Sequence, residues 1–218
     1  MNMPQTLFDS HLPPLAERVR PKTINEFCGQ NHLIGDGKIL HRLLDHSASF
    51  SIIFWGPPGT GKTTLARMIA SSSDSVIKEI SAVSSGVKDL REIIAGANKA
   101  KEMGQRTILF IDEIHRFSKS QQDALLHAVE DGTLTLIGAT TENPSFEVIS
   151  PLLSRCKILT LNPLDSDQLK QILENVFTQD LVLSKEKMKL GEDEKDLLIQ
   201  SSGGDARKML NTLEVSIN

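Results

Sequence analysis

Apolar residues in this chain fall into two kinds of run, and the change from one to the other divides it. From Ser51 to Leu161, short apolar blocks alternate with longer stretches of helical spacing. Ser51–Trp55, Val76–Ile80, Thr107–Ile111, Leu134–Ala139 and Cys156–Leu161 read as strands. Thr64–Ala70, Val87–Met103 and Ser120–Glu130 read as helices, with a shorter one at Ile39–Leu44. Apolar strands separated by helices predict a parallel sheet covered on both faces, because each crossover helix lies on a face and hides it. After Asn162-Pro163 only helical spacing remains, over Asp165–Thr178, Glu192–Ser202 and Asp205–Ser216. A domain boundary near Pro163 is expected. Residues 1–13 are polar and Pro-punctuated and read as an arm. Ser71-Ser72-Ser73 and Lys185–Lys189 read as solvated loops, and no internal repeat is visible.

The turn between the first strand and its helix carries the strongest chemical signal. Gly56-Pro57-Pro58-Gly59-Thr60-Gly61-Lys62-Thr63 is a complete phosphate-binding loop. A Gly-rich turn between strand and helix aims several backbone N–H groups, and the positive end of a helix dipole, at one point. Only a polyphosphate makes full use of that. Lys62 would reach the β- and γ-phosphates, the Thr63 hydroxyl would bind Mg²⁺, and Thr64 continues the loop into the helix. A chance match in a glycine-rich turn is the competing reading, and the strand–loop–helix context weighs against it.

Other polar positions extend this site. Asp112-Glu113 ends the apolar strand Thr107–Ile111. Asp112 at a strand's C-terminal edge can hold Mg²⁺ directly or through water, and Glu113 can orient and polarise an attacking water. The strand Leu134–Ala139 runs into Thr140-Thr141-Glu142-Asn143-Pro144, which suits a γ-phosphate sensor at Thr141 or Asn143. An Asx-type turn before Pro144 explains the same residues equally well. Arg155 in Ser154-Arg155-Cys156 has no role assignable from chemistry alone. Gly203-Gly204-Asp205-Ala206-Arg207 opens the last helix, with Asp205 as N-cap and Arg207 in the first turn.

Bulk properties narrow the setting. The 218 residues suffice for one large or two small domains, and 39% hydrophobic with 24% charged residues is an ordinary globular balance. No apolar run approaches the ~20 residues that span a bilayer. No leader-like segment opens the sequence, so a cytoplasmic setting is expected. Cys28 and Cys156 lack metal-ligand spacing and read as reduced thiols. A net charge of −4 argues against coating long duplex DNA by bulk electrostatics, though not against a local basic track. Trp55 reads as core rather than a base-stacking platform. His115 and Arg116 read equally as relay or as packing residues. Gln5-Thr6-Leu7-Phe8 weakly resembles peptides that dock on sliding clamps.

Together the phosphate loop, Asp112-Glu113, the polar end of Leu134–Ala139, Ser154-Arg155-Cys156 and Gly204-Asp205-Ala206-Arg207 resemble AAA+ ATPases of the clamp-loader clade. Pro14–Pro21, Gly29–Leu33, Asp112–Phe117, Gln121–Leu126 and Gly138–Phe146 narrow the resemblance to the replication-associated recombination protein A family. Its eukaryotic relative is the Werner-helicase-interacting protein. The resemblance covers about residues 14–216. It implies an α/β fold: an αβα sandwich with a five-stranded parallel sheet over 14–162, then a small all-α lid over 163–218. It implies ATP and Mg²⁺ as cofactors, with Thr141 as first sensor, Arg155 as an arginine finger donated to a neighbouring subunit, and Arg207 as second sensor. Val19, Arg20, Ile24 and Phe27 would surround adenine. DNA at stalled forks, ends or gaps, single-stranded-DNA-binding protein and a sliding clamp are the implied partners, in a homo-oligomer and with no membrane. A clamp-loader subunit, a branch-migration motor and an ATP-gated scaffold share much of this motif set. Family members usually continue past the lid into a helical region that builds a tetramer, whereas this sequence ends at Asn218.

Overall fold

A computed structural model describes residues 12–35, 37–44, 50–72, 75–83, 85–186 and 190–217. The clamp-docking resemblance at Gln5–Phe8 lies outside them. The elements run α1 (Leu15–Arg18), a 3₁₀ turn (Ile24–Glu26), α2 (Asn31–Ile34), α3 (Ile39–Leu44), β1 (Ser51–Trp55), α4 (Lys62–Ser72) and β2 (Ser75–Ser81). They continue with α5 (Val87–Glu102), β3 (Arg106–Asp112), a second 3₁₀ turn (Ile114–Arg116), α6 (Lys119–Glu130) and β4 (Thr135–Thr140). The remainder are α7 (Pro144–Glu147), α8 (Ser150–Leu153), β5 (Cys156–Thr160), α9 (Ser166–Gln179), α10 (Leu183–Glu186), α11 (Glu192–Ser202) and α12 (Ala206–Ile217). Two stretches expected as loops are partly helical: Ser71 and Ser72 end α4, and Lys185 lies in α10. Among the described residues no helix is long and apolar enough to cross a membrane.

Contacts divide the chain into two units: residues 30–56 with 61–161, and residues 1–29 with 57–60 and 162–218. The first is α/β. Its five strands are all parallel, in the order β2-β3-β4-β1-β5. Central strands are buried on both faces, which is why β1, β3 and β4 read as continuous apolar runs. Edge strand β2 instead exposes Lys78 and Glu79. Ile53, Leu90, Leu109, Ile111, Leu125 and Leu136 anchor its core. The parallel arrangement sends every strand's C-terminus to one edge of the sheet, where β1 delivers the glycine loop and β3 delivers Asp112.

The second unit is helical. Leu15 and Val19 join Leu169, Leu173, Val176, Met209, Leu210 and Leu213 in one core. The resemblance groups residues 14–29 with the sheet, whereas Leu15 and Val19 pack into the core of these helices. The reason is polar as well as apolar. Arg18 Nε donates to Asp180 Oδ2 at 2.7 Å, Arg18 Nη1 donates to Glu214 Oε1 at 3.1 Å, and the Leu15 N–H donates to the same Glu214 oxygen at 2.9 Å. Burial would push the Asp180 carboxyl up, but the Arg18 guanidinium and the Leu183 and Val182 N–H groups together hold it below its ordinary value.

Candidate nucleotide site

The glycine loop follows directly from β1. Gly61 has φ +98° and Gly59 φ +67°, conformations that L side chains rarely adopt, so glycine is required at both. A Cβ on Gly56 would strike the Leu161 carbonyl oxygen. Thr60 Oγ1 donates to the Pro57 carbonyl at 2.8 Å, closing the turn on itself. Lys62 opens α4, is 8% exposed, and its Nζ donates to the Gly56 carbonyl at 2.7 Å. Its ammonium is thus held back over the loop rather than extended into solvent. Thr63 stands in the first turn of α4, half-buried, and its hydroxyl makes no hydrogen bond among the described residues.

Two strands away from β1, Asp112 ends β3 half-buried. Its carbonyl accepts from the Ala82 N–H at 3.0 Å, and its carboxylate has no partner among the described residues. The next residue, Glu113, is in the left-handed region at φ 57°, ψ 45°. That is costly for a residue with a Cβ, by about 1–3 kcal/mol, and persists only where surroundings enforce it. Here the enforcement comes from Ile114, which is fully buried against Gly138 of β4. Among the described residues no group of three or more His, Cys, Asp or Glu could hold a metal ion. One hydroxyl (Thr63), one carboxylate (Asp112) and phosphate oxygens are, however, a common donor set for Mg²⁺. The residues present fit a nucleotide with that ion.

The polar end of β4 is organised differently from the expectation. Thr140, not Thr141, is the buried member of the pair. Its carbonyl accepts from the Gly56 N–H at 3.2 Å, and its hydroxyl contacts His115 Nδ1 at 2.9 Å. Thr141 is half-exposed with no side-chain hydrogen bond among the described residues. Asn143 caps α7, its Oδ1 accepting from the Ser145 N–H at 3.0 Å, which is the Asx-type turn. That capping leaves Thr141 as the freer of the two sensor candidates.

Arg155 lies at the other edge of the sheet. It immediately precedes β5, whose first residue Cys156 pairs with Ser51 at the start of β1. The loop leaves β1 past Trp55, so the five-residue strand, at ~3.3 Å per residue, separates Arg155 from it. Arg155 pairs with Glu130 at the end of α6, and its Nη1 donates to the Pro151 carbonyl at 2.7 Å. Both residues line a cleft of about 810 Å³ with Lys101, Arg106, Thr107 and Thr135. Thr107 Oγ1 is buried and has no hydrogen-bond partner among the described residues. Both cysteines are free thiols, and burial pushes Cys156 up to about 12.

The remaining candidates belong to the helical unit. Val19 is buried in its core and Arg20 pairs with Glu17. Ile24 opens the first 3₁₀ turn and Phe27 closes it, both half-buried. Arg207 is exposed in the first turn of α12, with no ion pair among the described residues. Asp205 caps that helix by accepting from the Lys208 N–H at 3.0 Å, and a Cβ on Gly59 would strike its carboxylate.

Sequence reasoning passed over Thr140, Glu130 and Gln122. Gln122 is buried and fully satisfied: Nε2 donates to the Phe117 and Glu147 carbonyls at 2.9 and 3.0 Å, and Oε1 accepts from the Ile149 N–H at 2.8 Å. It ties the turn after Glu113 to the segment leading to Arg155. The only sequence signal was a glutamine on the apolar face of α6.

Residues 52–164 match the model of the AAA family, the ATPase family associated with various cellular activities. Replication-associated recombination protein A of Escherichia coli K12 is 46% identical over 98% of this chain and 48% of its own length. An ATPase named WRNIP1 from Dictyostelium discoideum is 44% identical over 94% of this chain and 23% of its own. The chain spans about half the length of the bacterial relatives it matches. RuvB of Thermotoga maritima, a Holliday junction branch migration motor, superposes with a TM-score of 0.72 at 30% identity, over 90% of this chain and 64% of RuvB. The family match covers more than half of the sequence and includes the loop, Asp112, Glu113 and Arg155. This chain belongs to the AAA family of ATPases.

Proposed function

We propose that this chain is the ATP-hydrolysing part of a Mg²⁺-dependent, DNA-stimulated ATPase. It would act in the cytoplasm, with the nucleoid, at stalled forks, DNA ends or gaps during replication-coupled recombination. The observation that carries the reading is the division of chemistry between the two sheet edges. At the C-terminal edge, backbone N–H groups of the loop and Lys62 grip the phosphates. Thr63 and Asp112 hold Mg²⁺, and Glu113 takes the proton of the attacking water. When bound, Mg²⁺ neutralises charge on the β- and γ-phosphate oxygens. Thr141 contacts the γ-phosphate, and Arg207 passes its presence to the helical unit, which is the family's lid. Val19, Arg20, Ile24 and Phe27 receive the adenine.

Arg155 is attached to the other edge, a strand's length from the loop of its own subunit. It therefore serves the site of a neighbouring copy, which makes turnover depend on assembly. The DNA role and its partners, including a single-stranded-DNA-binding protein, rest on similarity to the recombination proteins. DNA contacts are expected on the phosphate backbone and to be salt-sensitive. The similarity to RuvB favours one alternative, movement of a branched junction.

ATP turnover measured against protein concentration, with and without single-stranded DNA bearing a duplex end, tests the proposal. A more-than-linear rise that DNA enhances supports it. Turnover that is linear in concentration and indifferent to DNA overturns the trans arrangement and the DNA role. Displacement of one arm of a four-way junction would favour the alternative.

A further inference from the structure

The side chain that touches the Glu113 carboxylate belongs to His115. His115 Nδ1 lies 3.3 Å from Glu113 Oε2 and 2.9 Å from Thr140 Oγ1. The protons at this junction can be placed. Thr140 Oγ1 lies 3.2 Å from the Glu142 carbonyl and accepts from the Glu142 N–H at 3.0 Å. The carbonyl can only accept, so the hydroxyl proton points to it. The hydroxyl oxygen then has one lone pair left for Nδ1, which must carry a hydrogen. A carboxylate beside the same atom demands the same tautomer. The Nδ1–H thus bonds the Thr140 hydroxyl, and the same edge of the ring stands 3.3 Å from the Glu113 carboxylate.

Thr140 is not an arbitrary second partner. It is fully buried, and its carbonyl takes the N–H of Gly56, the first residue of the phosphate loop. Gly56 thus bonds the backbone of Thr140, the Thr140 side chain bonds His115, and His115 contacts Glu113. The backbone beneath it is equally constrained. Glu113 holds a left-handed conformation, and the turn that carries His115 is pinned by Ile114 against Gly138, where an added Cβ would come within 3.2 Å of Ile114 Cδ1. A glutamate on a fixed turn still has three side-chain torsions and so several rotamers. Packing fixes the turn, but only the imidazole fixes the rotamer.

We infer that His115 is the positioning residue of Glu113. Its imidazole, fixed to β4 through Thr140, packs against the carboxylate and keeps it in register with β4, and so with the loop that β4 supports through Gly56. The inference rests on the proposed role of Glu113 as the base in ATP hydrolysis. His115 itself touches neither nucleotide nor water. It removes rotamers of Glu113 that point away from the reacting water, which should show in turnover and not in nucleotide affinity.

The test compares His115→Ala, His115→Asn and Thr140→Val, each alone and the alanine also combined with Glu113→Gln. Turnover, KM and the affinity for a fluorescent ATP analogue are measured, with thermal melting as a check on folding. His115→Ala should lower kcat about 10–100-fold with KM and affinity within about twofold of the parent. His115→Asn, whose amide N–H can stand where Nδ1–H stands, should recover most of that loss. Combined with Glu113→Gln, the alanine should add nothing further. Unchanged or raised turnover in His115→Ala, a matching loss of affinity, or a full multiplicative effect on top of Glu113→Gln would each overturn the inference. If Glu113→Gln alone turns over at the parental rate, it is the base assignment that fails. The imidazole ¹⁵N shifts then decide the contact: a protonated Nδ1 that changes in Glu113→Gln and Thr140→Val keeps the bridge, and shifts indifferent to both variants remove it.

Discussion

The two edges of the sheet treat their polar groups in opposite ways. At the C-terminal edge, Lys62 and the Thr140–His115 pair are held by hydrogen bonds within one chain. Gly56, Thr140, His115 and Glu113 are joined in sequence, and Gly61 and Glu113 hold positive φ. At the N-terminal edge, Arg155 is held by an ion pair with Glu130 in which both side chains stay about one-third exposed. His127 Nδ1 lies 3.7 Å from the same glutamate. Ion pairs of that exposure contribute about 0–1 kcal/mol. The first edge is built to keep its geometry and the second to give it up cheaply. That is what is wanted if the guanidinium must exchange Glu130 for the phosphate of another copy.

Breaking the second edge should have the largest effect. Arg155→Ala should leave nucleotide affinity intact and lower turnover ~10³–10⁵-fold in the assembled protein. Mixed with Glu113→Gln protein it should regain part of the activity, because each supplies what the other lacks. No recovery at any mixing ratio would place both groups in one site and dissolve the contrast. Gln122→Leu probes the link between the edges. It strands the Phe117 and Glu147 carbonyls and the Ile149 N–H, and should cost about 3–4 kcal/mol in chemical denaturation. Turnover of the still-folded fraction should fall as well.

Asp180→Asn is the control away from both edges. Losing the charge that Arg18 faces should cost about 2–3 kcal/mol with nucleotide affinity unchanged. Because the folded Asp180 carboxyl is held below its ordinary value, the parent keeps that contribution above about pH 4 and loses it as the pH falls through the lowered value. The variant's unfolding should lack that acid-side slope. The smallest effect is a gain. Thr107→Val removes a buried hydroxyl that has no partner among the described residues, and should raise stability by up to ~1 kcal/mol without altering turnover.

The sequence disclosed these regions unequally, for physical reasons. Parallel strands buried on both faces must be continuous apolar runs, so β1, β3 and β4 stood out, and the edge strands β2 and β5 were visible from their β-branched and apolar residues. The phosphate loop was visible because its geometry is backbone geometry, and only glycine at Gly59 and Gly61 permits it. Helices of four residues, such as α2, α7 and α8, were not, since a single turn shows no periodicity. Thr140 and Gln122 were hidden because their partners lie far along the chain: His115 is 25 residues from Thr140, and Ile149 is 27 from Gln122. That Thr140 is the inward-facing member of the threonine pair was equally hidden. It follows from the register with Trp55 rather than from composition.

The attachment of α1 to the last helix has a consequence for how the protein is made. Leu15 and Glu214 are separated by 199 positions and share a hydrogen bond. A ribosome adding ~5–20 residues per second takes about 10–40 s to cover that interval. Throughout it the sheet can assemble, while the apolar face of Leu15 and Val19 waits without its partner. A nascent-chain binder that recognises short apolar helices would have its opening there. A helix made early is among the last elements to find its place.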